Sequence, residues 1–149
     1  MAPGETATAK TAPEPLYLVQ RFVNSVDLET GEDELATPHA LRDWFAERGL
    51  MDPTESVTVA DLRRAIDVRE GLRAVLLQNN GLPLDEELVK KLDRAVGRAP
   101  VRVRFEPGRD PELVASCPGV DGAIAALMAM VAAGVESGRL ERLKACPRE

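Results

Sequence analysis

Aromatic residues make up only 3% of this chain: three Phe, one Trp and one Tyr. A core must therefore be assembled from Leu, Val, Ile, Ala and Met. Histidine occurs once, at His39, with no Ser or Cys at a meaningful spacing, so no catalytic triad can be drawn. Cysteine occurs twice, at Cys117 and Cys146. With His39 these are too few and too separated for a structural zinc site, which takes four ligands, commonly in two close pairs. There is no Gly-rich phosphate loop, HExxH or EF-hand pattern. Adjacent carboxylates such as Glu86 and Glu87 sit at a helix start, where acids favour the dipole, and do not make a glycosidase pair. These absences point away from an enzyme and predict no cofactor within this stretch.

Other absences bear on location. Nothing marks an oxidising compartment, so the two cysteines read as a reduced pair and the chain as cytoplasmic. The opening residues MAPGETATAKTAPEP lack the apolar run of a signal peptide. The longest apolar stretch, Ala123 to Val135, falls short of the ~20 residues of a membrane span and reads as a core helix. No membrane partner is expected.

What the chain does have is ordinary apolar content, 44%, enough for one core without disulfides or metal. Its 149 residues fit one domain. A net charge of -6, with basic and acidic residues well mixed, disfavours non-specific contact with DNA or anionic membranes.

Residues 1–14 are Ala, Thr, Pro, Gly and charge, and read as a disordered tail. In LYLVQRFVNSV, Leu18, Val19, Phe22, Val23 and Val26 recur at helical spacing, with a short strand as the alternative. DLETGEDELAT is an acidic loop. Thr37-Pro38 opens the next helix, which Gly49 ends. Thr58, with Asp61 three residues on, opens the clearest helix, running to about Gln78. A fourth spans Asp85 to Val96, with Leu88, Leu92, Ala95 and Val96 inward. At Pro100 the pattern changes: VRVRF alternates with period two, and a hairpin over 101–116 follows. Asp121 then caps GAIAALMAMVAAGV, apolar on nearly every side and so expected at the bundle centre. The fold class predicted is mainly α: a single helical bundle with one small β-hairpin.

Arg69 is the most informative residue. At ~100° per residue it falls about 20° from Leu62, inside the stripe of Leu62, Ala65, Ile66, Leu72 and Leu76. A buried guanidinium needs a partner. Two readings stay open: an internal salt bridge or carbonyl clamp, to Asp27 or a helix C-terminus, or a pocket for a small anion, whose carboxylate or phosphate a guanidinium fork suits. Asn24, among apolar residues of the first helix, either caps or cross-links helices or joins Arg69 at a polar pocket. His39 reads as an exposed residue at a helix start.

The order FVNSVDLETGEDELATPHALRDWFAERGL, LRRAIDVREGLRAVL, VRVRFEPGRDPEL and RLERLKAC resembles the ABATE-domain family over about residues 16–149. The resemblance implies a stress-induced bacterial transcription regulator in which a CGNR-type zinc finger usually follows the domain. Cys146 matches the first cysteine of that finger, and the remaining ligands are missing here. The division implied is a tail at 1–14, an ABATE-like domain at 15–145 and the start of a truncated finger at 146–149. Zinc and DNA contact would belong to the absent region. The resemblance also implies that Asn24 and Arg69 matter, without giving their roles. The functions expected are an N-terminal regulatory, ligand-sensing domain or, alternatively, a helical interaction or homodimerisation module.

Overall fold

The computed structural model describes residues 16–143; the tail expected at 1–14 and the segment around Cys146 lie outside them. In chain order the elements are α1 Leu16–Val23, α2 Pro38–Glu47, α3 Val59–Gln78, α4 Glu86–Val96, β1 Val101–Arg104, β2 Glu112–Ala115, α5 Gly119–Ser137 and a 3-10 turn Leu140–Arg142. This is the mainly α bundle with a β-hairpin at its margin that the patterning predicts.

The helix starts follow from local chemistry. Thr37 Oγ1 accepts the Ala40 N–H at 3.0 Å, and Pro38 takes the first helical position. Thr58 and Asp61 close a reciprocal capping box, each bond 3.0 Å. Asp85 accepts the Leu88 N–H and caps α4. Gly49, at φ 75°, turns the chain out of α2 in a conformation that only glycine adopts cheaply.

α3 is the central helix. It packs against α1, α2, α4 and α5, and it buries residues around much of its circumference, from Leu62, Ala65 and Val68 to Gly71, Leu72, Ala74 and Leu76. α4 approaches it closely because Gly71 has no Cβ to collide with Leu92. Three of the five aromatics, Phe22, Trp44 and Phe45, meet with ring centroids 5.7–6.0 Å apart and join α1 to α2.

α5 differs from the sequence reading in two ways. It begins at Gly119, not at an Asp121 cap: Pro118 holds the cap position, and the Asp121 carboxylate instead pairs with Arg64 of α3. Nor does it fill the centre. Val120, Ala123, Ile124, Ala125 and Leu127 are buried, while Ala133 is exposed and Val135 is 62% exposed. The run of alanines was apolar without needing cover, because a methyl group gives little for burial to gain. With its earlier start α5 reaches 19 residues at mean hydropathy 1.5, long and apolar enough by length and composition to cross a membrane. Its buried side instead packs on α1, α3, α4 and the hairpin.

The hairpin pairs Val101 with Ala115, Arg102 with Val114, Val103 with Leu113 and Arg104 with Glu112. Val103, Leu113 and Ala115 face α5; on the other side Arg104 and Glu112 form a cross-strand ion pair.

Candidate functional site

The site is built on α3. At ~100° per residue, Arg73 points about 40° from Arg69, and both side chains run into the same interface. Both are buried, Arg69 at 4% exposure and Arg73 at 5%. Two buried cations on one helix require matched acceptors. Two of the four acceptor residues, Ser25 and Asp33, come from the loop between α1 and α2; the others are Glu70 of α3 and the Val23 carbonyl of α1.

That loop is folded by its own polar groups. Asp27 Oδ1 accepts the N–H groups of Glu29 and Thr30, Gly31 donates its N–H to Asp27 O at 2.7 Å, and Val26 bridges Asp33 antiparallel. Asp33 then turns inward. Its Oδ1 receives Arg69 Nη1 at 2.7 Å and its Oδ2 receives Arg69 Nη2 at 3.0 Å, a bidentate pair. Arg69 Nη1 also donates to the buried Ser25 Oγ at 3.2 Å, and Nε donates to Glu70 at 2.9 Å. Every nitrogen of the guanidinium is engaged. Arg73 Nη2 donates to the carbonyl of Val23, the last residue of α1, and Arg73 Nε lies 3.5 Å from Glu70 Oε1. Two guanidinium groups thus face two carboxylates, Asp33 and Glu70, inside the bundle.

Burial works to raise the Asp33 carboxyl, but the Arg69 fork, the Leu35 N–H and the charges of Arg69 and Arg73 together hold it below its ordinary value. Burial likewise works to weaken the charge of Arg69, and its bonds to Asp33 and Glu70 outweigh this and leave it more firmly protonated. Asp27 is lowered as well, by the N–H groups of Glu29 and Thr30.

Beyond Ser25 and Asp33 the loop surrounds an open depression of about 630 Å³, lined also by Asn24, Asp27, Glu29, Glu32 and Glu34. Glu34 Oε1 accepts the Trp44 Nε1–H at 2.8 Å, tying the loop to α2, and Arg48 stacks over the Trp44 ring at 3.9 Å. The other end of α3 holds a different group. Asn79 Nδ2 donates to the carbonyls of Leu140 at 2.9 Å and Leu143 at 2.6 Å, fixing the C-terminal 3-10 turn. Among the described residues no group of three or more His, Cys, Asp or Glu could hold a metal ion. Cys117 is a free, half-buried thiol, and Cys146 lies outside the described residues.

A family model described as a putative stress-induced transcription regulator matches residues 17–139. The chain belongs to the ABATE family. No curated protein and no solved structure matches it. The ABATE match spans every element of the site, from α1 through α5, so the Arg69 cluster lies wholly within the family domain, and the chain is a transcription-associated regulatory domain.

Of the residues singled out in the sequence, Asn24 and Asp27 line the same depression, and Arg69 is not among its lining residues. The partner of Arg69 is Asp33, and the clamp on a helix C-terminus offered for Arg69 is made by Arg73. The ABATE sequence carried a signal for Arg73: it lies about 20° from Leu62, inside the same apolar stripe, though further from the stripe centre than Arg69. Asp33 had no such signal among the loop's many acids. His39 is exposed, 3.2 Å from Asp43.

Proposed function

We propose that this domain is the ligand-sensing regulatory module of a cytoplasmic transcription regulator. Its DNA contact would be made by a zinc finger that starts at Cys146 and continues C-terminal to the domain. One observation carries the reading: α3 grips the acidic loop at one end, through Arg69 and Asp33, and the C-terminal segment leading to Cys146 at the other, through Asn79. A helix that holds an input loop and an output segment is a physical link between two sites.

The ligand is a small anion. Since the Arg69 fork is already filled by Asp33, the anion acts by exchange: it takes the guanidinium, Asp33 turns out to water, and the loop loses its attachment to α3. Carboxylate or phosphate oxygens match the fork that Asp33 now occupies. The surrounding carboxylates of Glu29, Glu32 and Glu34 repel every anion, so exchange with Asp33 needs an anion at high concentration or one that gains contacts beyond the fork.

Trp44, the sole tryptophan, is bonded to Glu34 of this loop and reports its release. Titration with inorganic phosphate and, separately, with acetate is expected to shift Trp44 emission saturably in the wild type. Arg69→Met, once shown by circular dichroism to be folded, should lose the response. Arg69→Lys, which keeps the charge and loses the fork, should weaken it by about tenfold. A wild type silent to both anions, or an Arg69→Met variant that responds like the wild type, would overturn the sensing role.

A further inference from the structure

β2 lies at the free edge of a two-stranded sheet, and beside it the chain leaves a groove of about 610 Å³ floored by α5. The floor is formed by Ala126, Ala129, Met130 and Ala133, which recur at helical spacing, and the wall by Leu113 and Ala115. Ser116 donates its N–H to Pro100 O. From that bond and the register, Arg102–Val114 and Arg104–Glu112 are the hydrogen-bonded pairs of the hairpin. The N–H and C=O groups of Leu113 and Ala115 therefore point away from β1, into the groove. No other strand among the described residues pairs with them. The groove thus has the two requirements of strand addition: a row of free backbone groups, and an apolar helix face beneath for alternate side chains.

We infer that a second copy of this chain fills the groove, its β2 pairing antiparallel with β2 about a two-fold axis at Val114. The β2 sequence is complementary to itself in this register. Leu113 pairs with Ala115 of the second copy, so a large side chain sits beside a small one over the α5 helices. Glu112 faces Ser116 of the second copy, so no carboxylate opposes another. Four N–H···O bonds form, and the marginal two-stranded hairpin becomes half of a four-stranded sheet. The small residues of α5 let the two helices approach. The other edge is defended: in a symmetric pairing about Val103, Arg102 of one β1 would face Arg104 of the other, and the exposed Arg102 on an edge strand discourages it. The contact is isologous and closes as a dimer, not a filament.

Sedimentation of the full chain at about 100 µM should give twice the mass of one chain. Ala133→Glu, on an exposed stretch of α5, should keep the helical circular dichroism and raise the dimer dissociation constant at least tenfold. The register is tested by cross-linking in a Cys117→Ser, Cys146→Ser background. At Val114 the axis forms a non-hydrogen-bonded pair, where Cα atoms lie ~4.5 Å apart, within disulfide reach. Val114→Cys should therefore oxidise to a covalent dimer, and Arg102→Cys on β1 should not. A wild type that sediments as a single chain, or equal cross-linking from the two positions, would overturn the inference. Neither result would alter the Trp44 response, so this dimer and the sensing role fail separately.

Discussion

The bidentate pair of Arg69 and Asp33 holds the acidic loop to α3, as Glu34 holds it to Trp44 of α2. Replacing Arg69 with Met keeps the apolar stem and leaves Asp33 and Glu70 short of a mate. The expected loss is about 3 kcal/mol in a urea melt, the lower end for a broken buried pair, because Asp33 keeps access to water and feels Arg73. The same pair sets a pH dependence with a definite sign. Asp33 is lowered in the folded chain, so in the window between its depressed and ordinary values the unfolded chain holds a proton that the folded one does not. Its contribution is therefore complete above the ordinary carboxylate value and is lost as the pH falls through the folded one. Wild type and Asp33→Asn melted from pH 7 down to about pH 2.5 should converge at the acid end. A constant difference between them would show that the carboxylate contributes nothing by its charge. Arg69 was legible at this scale because a cation in an apolar stripe stands out. Asp33 was not, because nothing local separates it from Glu29, Glu32 or Glu34 until the loop closes.

Between elements, the closest approach is that of α3 and α4 at Gly71. A Cβ built there would meet Leu92 Cβ at 2.4 Å and the Leu88 carbonyl at 2.9 Å. Gly71→Ala gains about 1 kcal/mol of helix propensity but overpacks a fixed interface, which costs about 1–3 kcal/mol. The net expectation is a chain destabilised by about 1 kcal/mol in thermal or urea unfolding. Gly97→Ala is the control. Its backbone is already helical, at φ -62°, and the nearest contact is an ordinary 3.4 Å, so it should be neutral or stabilising. A Gly71→Ala chain as stable as the Gly97→Ala one would mean that α4 shifts freely on α3. Helix starts at Thr37, Thr58 and Asp85 were legible in sequence because a cap is a contact within three residues. The start of α5 was not, because Asp121 had a cap position nearby and a stronger partner, Arg64, 57 residues away.

Across the whole molecule, α3 joins the Asp33 loop to the C-terminal turn. Asn79→Ala removes two hydrogen bonds to Leu140 and Leu143 carbonyls and should cost about 1–2 kcal/mol at most. Its specific effect should be local: amide exchange in 138–143 accelerating at least tenfold while amides of α1 and α2 keep their protection. Uniform acceleration would mean that the turn is held by the rest of the bundle and not by this side chain. By itself the sequence determined the helices, the caps of α2, α3 and α4, the hairpin and the burial of Arg69, all of which follow from spacing and from contacts within a few residues. Only the tertiary structure decided which acid Arg69 binds, that Arg73 takes the end of α1, that α3 is central in place of α5, and that β2 is left with a free edge. Those outcomes depend on which of several equivalent groups the packed chain brings within 3 Å, and hydrophobic periodicity carries no information on that choice.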